Sequence, residues 1–269
     1  RNPQLVDGCD VLITESTYGN RLHPPAEDLK NALLKVVEDA ANVGGRVIIP
    51  AFALGRTQAI VYFLNELAFE GRLPNIPVFV DSPLASRMTE IYRNNKDLLD
   101  ADAWRTLQKD KDIFAFPGLT YVQSSQESAE LNRRKGPFVV ISASGMCESG
   151  RIRHHLKHGV TDERNTILII GFQAEHTLGR RLVEKRPEVK IFDRLLPLRA
   201  KVVTLNGLSA HADANDFSWW FGHMASQGGI GQAFIVHGES EAAQATARLL
   251  HDCSDEDPIV PQLYQSFEV

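Results

Sequence analysis

Short, unbroken runs of β-branched and aliphatic residues alternate along this chain with longer stretches of helical periodicity, and that alternation restricts the possible architectures more than any other feature. Val11–Thr14, Val47–Pro50, Val78–Val80, Phe138–Ile141 and Ile167–Gly171 read as strands. Ala26–Asn42, Thr57–Ala68, a segment starting at Pro83, Gly150–His158 and Thr177–Glu184 read as the helices between them. Strands and helices alternating at this length predict βαβ units and a mainly parallel sheet. Strands that are apolar at successive positions predict burial on both faces. After Pro187 the texture changes. Val189–Phe192 and Lys201–Leu205 read as paired strands around Leu195-Leu196-Pro197. A helix from Asp213, a strand at Ala233–Val236 and a helix over Glu239–Leu250 complete the tail. The stretch Ala101–Thr120 shows only weak periodicity, and no internal repeat is present.

At 269 residues the chain is long enough for one or two domains, and 43% hydrophobic with 23% charged residues is a globular balance. No apolar run approaches the ~20 residues of a membrane helix, so no membrane partner is expected. The start, Arg1-Asn2-Pro3-Gln4, has no initiator Met and no signal-peptide core, and reads as a cut within a longer protein. Cys9, Cys147 and Cys253 lie far apart with no metal-binding spacing, which suits reduced thiols and a cytoplasmic setting. A formal net charge of −5 gives no global attraction to nucleic acid, so a polyanion site has to be a local patch. Four basic stretches could supply one: Arg133-Arg134-Lys135, Arg151–Lys157, Arg180-Arg181 and Lys185-Arg186. Runs of this size are more often solubilising surface charge.

Several segments place polar and small residues just after a predicted strand, where ligands sit in open α/β sheets. Glu15, in Thr14-Glu15-Ser16-Thr17-Tyr18-Gly19, is a carboxylate at the end of an apolar strand; it either caps a loop or has a chemical partner. In Ser209-Ala210-His211-Ala212-Asp213, Ser209 or Asp213 fits a helix N-cap. His211 is either a structural histidine or, between two alanines, an accessible proton-transfer group. His237 follows the strand ending at Val236 and precedes Gly238, a placement that suits a metal ligand or a residue at a helix start. Ser142, Ser144 and Thr177 lie in strand-to-helix loops that could cradle an anion or simply turn the chain.

Taken in order, these segments resemble the β-CASP family of metallo-β-lactamase-fold RNA-processing nucleases. Glu15-Ser16-Thr17-Tyr18-Gly19 resembles the family's motif A, Ser209-Ala210-His211-Ala212-Asp213 its motif B, and Val236-His237-Gly238-Glu239 its motif C. Pro50-Ala51-Phe52-Ala53-Leu54-Gly55-Arg56 and Asp81-Ser82-Pro83-Leu84-Ala85 look like further landmarks, so the resemblance runs from Asp10 to Leu250. It implies an α/β fold: a flavodoxin-like parallel-sheet β-CASP domain over residues 20–198, with 1–19 and 199–269 as parts of a metallo-β-lactamase αββα domain. By the same resemblance the full-length protein would be a zinc-dependent ribonuclease carrying two Zn2+ ions. His211 would protonate the leaving oxygen, Glu15 would orient that imidazole, and His237 would be a zinc ligand. Ser142, Ser144 and Ser209 would hold RNA phosphates. A histidine in motif C tilts the substrate towards RNA.

Two departures from the family pattern stand out. His176 occupies a position that is usually glycine, and is expected to face solvent. The family's upstream His-x-His-x-Asp-His cluster is absent, so this chain by itself is expected to be metal-poor and inactive. His154, His155 and His158 are expected to lie on a basic, solvated helix face that contacts RNA backbone. The alternative activity is a non-catalytic RNA-binding or scaffold protein of the same family. A nucleotide-binding flavodoxin-like domain ranks lower, because neither GxGxxG after the first strand nor GxxxxGK[ST] occurs. A homodimer is a candidate assembly through sheet edges left open.

Overall fold

The apolar runs in the middle of the chain assemble into one parallel sheet. In the computed structural model, which describes residues 3–99 and 101–268, six strands lie side by side. Their order is β4 (Leu119–Tyr121), β3 (Val78–Val80), β5 (Phe138–Ser142), β2 (Arg46–Pro50), β6 (Thr166–Ile170) and β9 (Lys201–Leu205). All neighbours are parallel, with Ile48 opposite both Val140 and Ile167.

Strand side chains alternate between faces, and here both faces are apolar. Val47, Ile49, Val78, Val80, Val139, Ile141, Leu168 and Ile170 pack with Leu33, Val36 and Val37 of α1 (Ala26–Asn42) and Ile60, Val61 and Leu64 of α2 (Arg56–Phe69). Ile48, Phe79, Phe138, Val140, Ile167 and Ile169 face the other way. They meet Leu131 of α5 (Ser125–Arg133), Ile152 and Leu156 of α6 (Ile152–Gly159), and Leu178 and Leu182 of α7 (Leu178–Val183). Each such side chain contributes about 1.5–3 kcal/mol through removal from water, which is why these runs carry no polar alternation. Because the strands are parallel, the loops after β2, β3, β5 and β6 emerge at one sheet edge. The weakly periodic stretch before Thr120 holds α4 (Ala101–Leu107) and the start of β4, while α3 (Pro83–Asn94) begins with Ser82 accepting the Ala85 amide hydrogen as N-cap.

Lys201–Leu205 corrects one expectation. It does not pair with Val189–Phe192; it runs parallel to β6 as the sheet's edge strand, Val202 opposite Ile167. The antiparallel partner of β7 (Glu188–Ile191) is β8 (Arg194–Pro197). Val202 faces one apolar layer and Val203 the other, a two-faced burial that only a sheet strand satisfies. The compact unit built on this sheet is Pro24–Leu208.

The second unit combines the chain up to His23 with the chain from Ser209. Its β1 (Gly8–Thr14) and β10 (Gly229–Ile235) pair in parallel, Leu12 opposite Ala233, between segments more than 200 residues apart in sequence. Leu12, Ile230, Ala233 and Ile235 pack under Phe217, Phe221 and Met224 of α8 (Ala214–Gln227) and Ala243 and Leu250 of α9 (Ser240–His251). On the opposite face Ile13 is 69% and Val11 38% exposed. Among the described residues no helix is long and apolar enough to cross a membrane.

Candidate active site

The second unit brings its three motif segments to one place through strand pairing. Because β1 and β10 are parallel, Thr14 lies opposite Ile235 and the residues following each strand emerge together. Ser16 reinforces this: its hydroxyl donates to the Val236 carbonyl at 3.0 Å. Gly238 packs so closely on Ser16 that a Cβ there would lie 2.2 Å from Ser16 Oγ. The third segment is anchored by Asp213, the N-cap of α8, which accepts the amides of Asn215 and Asp216 and that of His23 at 2.7 Å. Burial raises the Asp213 carboxyl, but these backbone donors outweigh it and hold it below the ordinary carboxylate value.

Glu15, His211 and His237 meet at this point, their ligand atoms all within 4.8 Å of one another. Glu15 accepts the Thr17 amide hydrogen at 2.7 Å and the Ala212 amide hydrogen at 3.0 Å, and its Oε2 lies 3.2 Å from His211 Nδ1. An ionised carboxylate only accepts, so His211 Nδ1 carries a proton. The Thr17 hydroxyl donates to the His237 carbonyl at 3.1 Å, leaving its oxygen to accept from His237 Nδ1 at 3.2 Å; His211 Nδ1 lies 3.3 Å away. The two imidazoles stack at 5.2 Å between centroids and 26° between planes. Among the described residues neither Nε2 receives a hydrogen bond, and both rings are at least partly exposed. A fixed Nδ1–H presents Nε2 outward for proton transfer or for a metal.

Glu15 is thus an orienting group with three N–H donors on it, not a free ligand. His237 is held by a left-handed backbone, φ 51°, which aims a side chain away from the strand it follows. Catalytic zinc sites use about three protein ligands plus water. The residues present fit one such ligand, the His237 Nε2, with a proton donor beside it.

Two family models match the chain: the Beta-Casp domain over residues 57–182 and the Zn-dependent metallo-hydrolase RNA specificity domain over residues 195–261. The chain belongs to the β-CASP family. This β-CASP chain is 36% identical to Ribonuclease TTHA0252 of Thermus thermophilus, over 93% of its own length and 56% of the relative's. It is 32% identical to an RNase J-like protein of Methanocaldococcus jannaschii, over 87% of its length and 53% of the relative's. With the Cleavage and polyadenylation specificity factor 73 of Drosophila melanogaster it shares 30% identity, over 86% of its length and 32% of that protein's. The chain spans about half the length, or less, of the relatives it matches. The metallo-hydrolase description carries zinc dependence for the family.

The serines divide. Ser209 Oγ accepts the His211 amide hydrogen at 3.2 Å and so supports the histidine loop. Ser142 is 1% exposed and donates to the Asp81 carbonyl at 2.8 Å, which leaves it facing its own sheet. Ser144 is half-buried, in the loop after β5. His176 is exposed, with φ 68°.

The expected solvated histidine face needs correction. His154 and His158 are exposed, but His155 is 2% exposed and its Nε2 lies 2.6 Å from Asp81 Oδ2. With Ile152, Leu156 and Gly159 it forms the buried stripe of α6. Asp81, fully buried, also accepts from Ser128 at 2.6 Å and Arg151 at 2.7 Å. Burial pushes that carboxyl up, yet these donors hold it below the ordinary value. Sequence reasoning listed Asp81 only as a landmark and missed its partners, whose one signal was the i, i+4 spacing of Arg151 and His155. Thr17 and His23 were also missed. His23 Nε2 lies 3.0 Å from the His211 carbonyl, and no pattern around Leu22-His23-Pro24 marks it.

Proposed function

We propose that this chain is part of a zinc-dependent ribonuclease that hydrolyses RNA phosphodiester bonds. The observation that carries the reading is the Glu15–His211–His237 grouping, with the Nδ1 side of each ring engaged and Nε2 left for substrate and metal. His237 would contribute one ligand to a centre completed by residues outside this chain. Zinc, when bound, supplies Lewis-acid stabilisation of charge on the phosphoryl oxygens. His211, acting as the imidazolium with its Nδ1–H held by Glu15, delivers the Nε2 proton to the leaving oxygen and is left as the neutral Nδ1–H ring. Ser209 holds the His211 loop, and Ser144 is the remaining candidate for a phosphate contact.

The unit up to His23 and from Ser209 corresponds in this reading to the metallo-β-lactamase part, and Pro24–Leu208 to the β-CASP domain. Three free cysteines, Cys147 buried among them, fit a cytoplasmic setting. Retention of all three motif residues in one constellation favours catalysis over a scaffold role. Cleavage of a single-stranded RNA by zinc-loaded full-length protein, beside its His211→Ala variant, tests the proposal. Cutting by the parent and loss in the variant supports it; binding without cutting by the parent refutes it.

A further inference from the structure

The Pro24–Leu208 unit gathers cations from three elements around one aromatic ring. Arg153 of α6, Arg181 of α7 and Lys190 of β7 line a surface cavity of about 180 Å3 with Phe192. The Arg153 guanidinium sits 4.2 Å from the Phe192 ring centroid and the Lys157 ammonium 5.9 Å from it. Phe192 occupies the β7–β8 turn with φ 53°. A bulky side chain in the left-handed region is strained, and such outliers gather where a site fixes a side chain in place.

Among the described residues, Arg153, Lys157 and Lys190 have no carboxylate partner, and Arg181 donates to the His176 carbonyl at 2.9 Å. The one carboxylate lining the cavity, Glu148, accepts the Leu178 amide hydrogen. A second hollow of about 340 Å3 shares Arg181 and is otherwise lined by Glu175, His176, Arg180, Glu184 and Arg186, with Glu184 ion-paired to Arg180 and Arg186.

We propose that this face is an RNA-backbone exosite, which grips substrate phosphates with residues that take no part in the cleavage chemistry. The inference rests on the ribonuclease reading. The cavity is smaller than the ~300–1,000 Å3 of enclosed small-molecule sites, room for a phosphodiester but not an enclosed nucleoside. Guanidinium forks match phosphate oxygens in pairs. Cation–π contact with Phe192 fixes Arg153 in advance, so less side-chain freedom is lost on binding. Arg153, Arg181 and Lys190 stand on three separate elements, which suits successive phosphates of a chain better than a single anion.

The test compares full-length protein with its Arg153→Gln/Arg181→Gln/Lys190→Gln variant, and with Lys190→Gln alone as an exposed change that spares packing. Affinity for a long single-stranded RNA is measured across salt concentrations, alongside cleavage of that RNA and of a trinucleotide. The triple variant should lose roughly tenfold or more in affinity. Its log K against log salt slope should shrink by about 2, because each phosphate contact on a single strand contributes about 0.7. Lys190→Gln should lose a proportionate part, and trinucleotide cleavage should be unchanged. Unaltered affinity and slope in a parent that cuts RNA would overturn the exosite alone. A parent that neither binds nor cuts RNA removes both readings. Displacement of RNA from this face by poly-glutamate at equal charge would assign it to acidic protein instead and overturn the proposal.

Discussion

His211 owes its usefulness to small groups around it. Thr17, Glu15 and the Ala212 amide fix one side of the ring while alanine neighbours leave the other open. Replacing His211 with alanine is expected to slow RNA cleavage by the full-length protein ~100-fold or more, the usual contribution of a positioned proton donor, with the circular-dichroism spectrum unchanged. Glu15→Ala acts differently. It leaves the Thr17 and Ala212 amides without their acceptor, so a stability loss of about 1–3 kcal/mol should accompany lost activity in urea titrations. At Asp81 the effect belongs to folding alone. A fully buried carboxylate holding His155, Ser128 and Arg151 is expected to cost about 3–5 kcal/mol when changed to Asn, because the Arg151 guanidinium loses its counter-charge and the bonds from His155 and Ser128 lose their charged acceptor. Its folded value lies below the unfolded one, so the stabilisation is full above the ordinary carboxylate value of about 3.9 and drains as pH falls towards the depressed folded value. Unfolding midpoints from pH 3 to 7 should therefore show wild type and Asp81→Asn converging only at the acid end.

Most strands of the six-stranded sheet were legible in the sequence because they are apolar on both faces, and most helices between them because each carries one apolar stripe; β4, α4 and α5 were not. β9 was misread, since Val189–Phe192 offered a nearby local partner around Leu195-Leu196-Pro197, and pairing across a parallel sheet leaves no local trace. α6 was misread for a related reason. Its basic residues dominate the string Arg151–Lys157, while the stripe of Ile152, His155, Leu156 and Gly159 that packs against the sheet includes a polar residue. At this scale the junction of β1 with the loop after β10 depends on Gly238. A Cβ would lie 2.2 Å from Ser16 Oγ and 2.9 Å from the Ser16 carbonyl oxygen, so Gly238→Ala should shift the His237 loop. The expected result is weaker zinc retention by full-length protein, read as metal content after dialysis, with a melting temperature lowered by a few degrees.

For the molecule as a whole, the unit holding β1 and β10 is a two-stranded parallel sheet with helices on one face only. Parallel sheets are almost always covered on both faces, yet Val11 and Ile13 face outward on β1. The isolated chain is therefore expected to self-associate through this face. Light scattering after gel filtration should show a species larger than 29.9 kDa, and Ile13→Lys should restore the monomer. Elemental analysis of the isolated chain should find less than one equivalent of zinc, and RNA should survive incubation with it, because one imidazole nitrogen does not make the about three ligands that zinc catalysis needs.

By itself the sequence determined the parallel α/β class and most strands and helices, though not β4, α4 or α5, while Glu15, His211 and His237 stood out only through resemblance to the family's motifs. The fold class is written in local periodicity, whereas nothing local separated those three residues from ordinary caps and structural histidines. Only the tertiary structure decided that Thr17 and His23 join the histidines, that Ser142 and His155 turn inward to Asp81, and that Arg153, Arg181 and Lys190 converge on Phe192. Each of these rests on contacts between residues distant in sequence, set by strand register and helix packing, and such contacts leave no mark on the local pattern from which a sequence is read.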